Sequence, residues 1–298
     1  MFKHILVPLD GSRLAEDILA PVESFAARFG SRVTLLHVVE RDPPERVHGE
    51  PHLTTKTESE NYLDGVARHM IATGIQVDVH VHERSVADVA AALDAHAHEY
   101  EVDLIAMCKH GRSGIRDVVA GGIAQQIMRG GGTSILLRPP QEEDVGASFE
   151  LRRILLPIDL QHDRDAVIEA GSVIARAYGS SIRLLTVVPS LATARQGSVA
   201  ARLLPGATAE SLRMEIDEAA EQLTAHAGRF KDAGIETTGT IRDEEPAAAI
   251  LDEARGSGAD LIILSTHAQS GFNAWYGGST GLRVITGSPA TLLLLREL

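Results

Sequence analysis

The feature that most constrains this chain is an internal repeat. Three apolar segments of the first half return in the same order in the second half: residues 4–10, 33–39 and 103–110 return as 153–159, 182–188 and 260–267. The first two segments are shifted by 149 residues and the third by 157. A repeat of this length predicts two copies of one fold that differ by insertions in their loops.

A linker separates the two copies. The stretch at 139–146 is Pro-rich and then acidic, and it has no apolar periodicity, as is typical of a linker. We therefore predict one domain over residues 1–139, a linker over 140–151 and a second domain over 152–298. A chain of 298 residues is long enough for each domain to have its own core.

Short apolar runs alternate with helical patterns in both copies. We predict strands at 3–9, 32–39, 76–82, 102–108 and 133–138, and again at 152–158, 181–188, 235–241, 259–265 and 290–296. Ser85 to Asp88 further predicts a capping box at the start of a helix. The predicted class is α/β: two tandem five-stranded parallel sheets, each with helices on both faces. Ligands of such folds lie beyond the carboxyl ends of the strands, where the strand order reverses.

Charge and composition exclude several classes of partner. The formal charge of −13 and an aromatic content of 4% argue against nucleic-acid binding. No apolar run approaches the roughly 18 residues of a membrane span, and the N-terminus has no secretory pattern. The single cysteine, Cys108, cannot form an internal disulfide, which suits a reducing compartment. We expect a cytoplasmic protein.

Three segments carry residues that could bind a nucleotide. Asp10, in the segment PLDGS at 8–12, follows a strand and could bind a ribose hydroxyl or a metal, although a turn residue before a helix looks the same. The glycines of CKHGRSG at 108–114 and AGGI at 120–123 could expose backbone N–H groups to a phosphate, although glycines also form ordinary turns.

The order and spacing of these segments resemble the universal stress protein family, once in each half. The strongest stretches are ILVPLDGS at 5–12, VTLLHVV at 33–39 and HGRSG at 110–114. The resemblance covers essentially the whole chain. It implies a five-stranded parallel α/β domain, pairing through the last strand, and two functional branches, of which one binds ATP. The ATP motif of the family is G-x-x-G, nine residues, then G-[S/T].

The first half departs from that motif at two of four positions. Cys108 stands for the opening glycine, and Gly122 stands for the hydroxyl residue, whereas Gly111 and Gly121 are kept. Both replacements are small, so close approach of the backbone to a phosphate stays possible.

The second half departs from the ATP motif at different positions. Ser265 and Ala268 replace the two leading glycines, whereas Gly278 and Ser279 are kept. The resemblance thus implies a partial site in each half, with more of the phosphate cradle preserved in the first.

The resemblance also implies which residues would bind the nucleotide. In the first half these are Pro8, Leu9, Asp10, Val38, Cys108, His110, Gly111, Arg112, Gly114, Gly121, Gly122 and Ile123. Their second-half equivalents are Asp159, Val187, Ser265, His267, Gly278, Ser279 and Thr280. The implied cofactor is ATP, with or without Mg²⁺, and we expect it in the first domain.

Histidines and the lone cysteine offer further chemistry. His80 and His82 alternate along a predicted edge strand, but His96 and His98 diverge on the next helix, so no set with metal-ligand spacing is complete. We interpret the pair as exposed edge-strand residues and predict no metal site. Cys108 could be a thiol of low pKa, but a buried small residue is the preferred interpretation.

We therefore expect a tandem universal stress protein of the cytoplasm that acts by ligand- or partner-dependent regulation. The expected partners are an adenine nucleotide and an unidentified protein, and the two domains pair with each other or, alternatively, the chain forms a homodimer. The loop at 41–60 is a candidate lid or a mobile connector. No catalytic residue is predicted. The alternatives are a slow Mg²⁺-dependent ATPase and a scaffold that binds no nucleotide or a different small ligand.

Overall fold

A computed structural model describes residues 1–41, 44–86, 88–109, 123–130, 133–139, 149–159, 165–188, 205–266 and 280–296. The chain divides into two compact units. Unit 1 comprises Met1–Phe149 together with Thr291–Arg296, and unit 2 comprises Glu150–Ala290.

Unit 1 is a parallel sheet flanked by helices. Its strands are β1 (His4–Pro8), β2 (Arg32–Glu40), β3 (Arg46–Val47), β4 (Glu50–Pro51), β5 (Val77–Val86), β6 (Leu104–Cys108) and β7 (Ser134–Arg138). Its helices are α1 (Arg13–Glu16), α2 (Leu19–Phe29), α3 (Lys56–Ala72), α4 (Val89–Glu99) and α5 (Ile123–Gly130). The strand order of the parallel sheet is β5-β2-β1-β6-β7, so the order reverses between β1 and β6.

The central strands of unit 1 form its core. Leu6 of β1 lies between Thr34 of β2 and Ile105 of β6, and its side chain is fully buried. Near-continuous apolar runs are buried on both faces because helices cover both sides of the sheet.

Unit 2 has the same alternation of strands and helices. Its elements are β8 (Arg153–Pro157), α6 (Asp165–Tyr178), β9 (Ser181–Val187), α7 (Pro205–Asp232), β10 (Thr237–Arg242), α8 (Pro246–Ser257), β11 (Leu261–Thr266) and α9 (Thr280–Gly287). The strands are parallel in the order β10-β9-β8-β11. The predicted α/β class with parallel sheets is thus confirmed.

The last strand, β12 (Thr291–Arg296), is grouped with unit 1. It runs antiparallel to β7, with Leu293 opposite Leu136. The sequence predicted this strand, within the domain proposed for residues 152–298.

Side chains cap helices α3 and α4 of unit 1. The hydroxyl of Thr55 and the carboxylate of Glu58 form a capping box at α3. Asp88 caps α4 by accepting a hydrogen bond from Ala91 N at 3.0 Å. The predicted capping box that opens at Ser85 is wrong, because β5 continues through Val86.

The segment at 41–60 contains a hairpin that the sequence did not predict. β3 and β4 pair across a two-residue turn in which His48 and Gly49 both have positive φ, at 50° and 85°. This is the turn geometry whose twist matches antiparallel strands, and glycine adopts it without a steric penalty. Within the described residues, no helix is both long and apolar enough to span a bilayer.

Candidate functional site

The candidate site lies where the strand order of unit 1 reverses. Asp10 follows β1 and Lys109 follows β6, and these neighbouring parallel strands end at the same edge of the sheet. Such a crevice is where open α/β sheets bind ligands.

Asp10 is anchored on one side and presents its second oxygen on the other. Its Oδ1 accepts hydrogen bonds from the backbone N and the hydroxyl of Ser12, at 2.9 Å and 2.7 Å. The Ser12 hydroxyl in turn accepts from Ala15 N and caps α1. Asp10 Oδ2 faces His48 Nε2 at 3.9 Å. The carboxylate therefore organises the turn and also points one oxygen toward the hairpin.

The β3–β4 hairpin packs directly on this turn. Glu50 Oε2 accepts a hydrogen bond from Arg13 N at 2.7 Å. Gly11 has φ of 90°, and a Cβ there would lie 2.8 Å from Leu53 Cγ. Only glycine allows so close an approach of the turn to Leu53.

The neighbouring strand β2 lines the same edge. His37 is buried, and its Nδ1 donates a hydrogen bond to Leu9 O at 2.8 Å. Its Nε2 is buried with no hydrogen-bond partner among the described residues. Val38, a predicted site residue, is buried beside it.

Burial sets the chemistry of the residues that end β6. Together with the carboxylate of Asp17, it raises the pKa of Cys108 to about 12. The hypothesis of a low-pKa thiol is therefore wrong, and Cys108 is a buried small residue. Burial also lowers the pKa of the adjacent Lys109 to about 8. From the sequence, Lys109 was weighed only as an additional charge near a phosphate, and its burial depends on the packing of distant segments.

The other predicted residues of the first half divide into two groups. Pro8 ends β1, and Ile123 begins α5. The following lie outside the described residues: His110, Gly111, Arg112, Gly114, Gly121 and Gly122.

Unit 2 repeats part of the arrangement. Its predicted and described residues lie at strand ends or at a helix start: Asp159 after β8, Val187 in β9, Ser265 in β11 and Thr280 in α9. Thr186 Oγ1 donates to Ile158 O at 3.4 Å, where unit 1 has the contact from His37 to Leu9. His267, Gly278 and Ser279 lie outside the described residues.

Comparison with known proteins gives a family match over most of the chain. A model of the universal stress protein family matches residues 1–137 and again residues 150–296. A comparison with curated protein sequences gives no significant match.

Solved structures match at low identity, two of them over nearly the full length of the chain and one over about half of it. A universal stress protein from Archaeoglobus fulgidus DSM 4304 is 17% identical, with a TM-score of 0.68 over 99% of this chain and 96% of its own. A functionally unknown protein from Pseudomonas aeruginosa PAO1 is 15% identical, with a TM-score of 0.71 over 99% and 92%. A universal stress protein solved in complex with cAMP matches 47% of this chain and 98% of its own, with 16% identity and a TM-score of 0.37.

Proposed function

Because the chain belongs to the universal stress protein family, whose model matches it twice, we propose that it is a regulatory protein that binds an adenine nucleotide in unit 1. One observation carries this proposal. A carboxylate, Asp10, and a half-buried cation, Lys109, follow the two strands at the reversal point of a parallel sheet. The carboxylate suits a ribose hydroxyl, and the cation suits a phosphate.

The charge pattern favours unit 1 over unit 2. The second copy keeps the carboxylate as Asp159, but Thr266 stands where the first copy has Lys109. A phosphate would therefore find less positive charge in unit 2. We propose ATP as the ligand, accompanied by Mg²⁺. We also propose the domain boundaries predicted above.

The β3–β4 hairpin supplies a route from binding to regulation. Because His48 and Leu53 lie against the turn at 10–12, a ligand on Asp10 changes the contacts of the hairpin. A ligand shifts such an equilibrium only by binding one arrangement more tightly than the other. The altered hairpin surface would then be what a protein partner recognises.

We place the protein in the cytoplasm, since its single cysteine is buried and unpaired. Pairing of the two domains, or of two chains, is likewise proposed from the family resemblance.

Native mass spectrometry of the purified chain with ATP and Mg²⁺ tests the proposal. We expect one nucleotide per chain. Asp10→Asn, which keeps the oxygen that accepts from Ser12, should weaken binding at least tenfold. The matched variant Asp159→Asn should change the affinity less than twofold. A folded chain that binds no nucleotide would overturn the proposal and favour a scaffold, and loss in Asp159→Asn alone would move the site to unit 2.

Two further measurements separate regulation from turnover. Saturating ATP should slow amide hydrogen exchange in residues 44–55, because the ligand reorders the hairpin. Unchanged exchange despite bound ATP would contradict the regulatory route. Steady Mg²⁺-dependent release of phosphate would instead support the alternative of a slow ATPase.

A further inference from the structure

Three histidines meet at the edge of the unit 1 sheet. His80 and His82 lie on β5, the edge strand, and His96 lies on α4. One ring nitrogen from each falls within 4.8 Å of the other two. His96 is only 7% exposed, and the two strand histidines are partly buried. The two strand histidines do lie on an edge strand as expected, but the expectation that they are exposed is wrong.

Two of the three nitrogen atoms already lie within hydrogen-bond distance of each other. His82 Nδ1 lies 2.8 Å from His96 Nε2, so these two atoms share one hydrogen. Ligand nitrogens bound tetrahedrally to zinc at about 2.0–2.1 Å stand roughly 3.3 Å apart. An opening of about half an ångström would thus let a metal ion replace that shared hydrogen.

A carboxylate lies behind the most buried histidine. Glu99 Oε2 is 3.3 Å from His96 Nδ1. That nitrogen is buried, and the contact with Glu99 does not meet hydrogen-bond geometry. If His96 Nε2 binds a metal, Nδ1 carries the hydrogen and points toward Glu99. A carboxylate behind a ligating histidine is the usual arrangement that fixes its tautomer and orientation.

The rings are held in place before any ion binds. Tyr100 stacks on His96, with ring centroids 5.4 Å apart and an angle of 20°. The same tyrosine meets the edge of His80 at 5.6 Å.

We infer that His80, His82 and His96 form a binding site for a divalent transition-metal ion, with zinc as the first choice. Three imidazole ligands suit zinc, copper or nickel, and they leave a fourth position for water. The site lies on β5, two strands away from β1, and it does not depend on the proposed nucleotide site.

Calorimetric titration of tag-free, chelator-treated full-length protein with Zn²⁺ tests the inference. We expect one ion per chain with micromolar or tighter affinity. His82→Asn should weaken binding at least tenfold. His98→Asn is the matched control, since this histidine is exposed on the same helix, and it should change the affinity less than twofold.

Glu99→Gln distinguishes a metal site from a merely structural ring cluster. It should weaken Zn²⁺ binding about tenfold, because it removes the charge behind His96. His80→Asn serves as the second ligand variant if His82→Asn does not fold. Absence of binding by the folded wild type, or equal binding by wild type and the ligand variants, would overturn the inference.

Discussion

Cys108 and Lys109 are consecutive residues whose charges respond to the same physical cause. Burial disfavours the charged form of either group, so it raises the pKa of the thiol to about 12 and lowers that of the amine to about 8. The thiol is therefore protonated and unreactive near neutral pH. The amine is still mostly protonated near neutral pH, but it loses its charge at a lower pH than an ordinary lysine does.

Lys109 makes the stability of unit 1 depend on pH. Between about pH 8 and the unfolded value of about 10.4, the unfolded chain binds more protons at this residue than the folded chain, so stability rises with pH across this window. After allowance for partial exposure, Lys109→Met should raise the free energy of unfolding at pH 7 by about 1–2 kcal/mol.

Denaturant unfolding at pH 7, 8, 9 and 10 measures this effect. The advantage of Lys109→Met over wild type should shrink toward pH 10. Lys109→Arg, which stays charged throughout, should lose stability relative to wild type as pH rises. Equal pH profiles for wild type and Lys109→Met would show that burial does not perturb this lysine.

At the scale of elements, one carboxylate joins α8 to two strands of unit 2. Glu253 is 4% exposed. Its Oε1 accepts from Arg183 Nε of β9 at 2.7 Å, and its Oε2 accepts from Arg242 Nη2 of β10 at 2.9 Å. Each carboxylate oxygen thus holds a different strand against the helix.

Glu253→Ala should lower the free energy of unfolding by about 2 kcal/mol. The loss stays below that of a fully buried ion pair, because both arginine side chains still reach water. Asp252→Ala removes the neighbouring carboxylate, whose pair with Arg255 is exposed, and should change stability by less than about 0.5 kcal/mol. Denaturant unfolding of both variants checks the difference, and equal losses would contradict this role for Glu253.

At the scale of the whole molecule, the last strand of the chain, β12, pairs with a strand of unit 1. β12 lies antiparallel to β7, and Arg296 N donates to Ser134 Oγ at 3.2 Å. Without β12, β7 would present a row of unpaired backbone groups with apolar neighbours.

A chain that ends at residue 290 should therefore self-associate. Because an exposed strand edge pairs with other chains, we expect larger species in analytical ultracentrifugation and a lower unfolding temperature than for wild type. A chain that ends at residue 296 keeps β12 and is the matched control. Wild-type behaviour of the shorter chain would show that β12 does not protect β7.

Local patterns in the sequence were enough to predict much of the secondary structure of this molecule. The repeat, the ten main strands and the position of Asp10 after β1 follow from short apolar runs and the residues that interrupt them. Such patterns act within a few residues, because they reflect backbone propensity and the period of a strand or helix. They were enough to predict the α/β class and the resemblance to the family.

Tertiary structure alone decided which distant residues meet. His96 joins His82 only because α4 packs where it does, and the hairpin at 46–51 rests on the turn at 10–12 through contacts no periodicity encodes. The burial of Lys109 and the place of β12 beside β7 likewise depend on topology. Register and packing set these contacts, and both are properties of the folded chain as a whole, so a local pattern cannot express them.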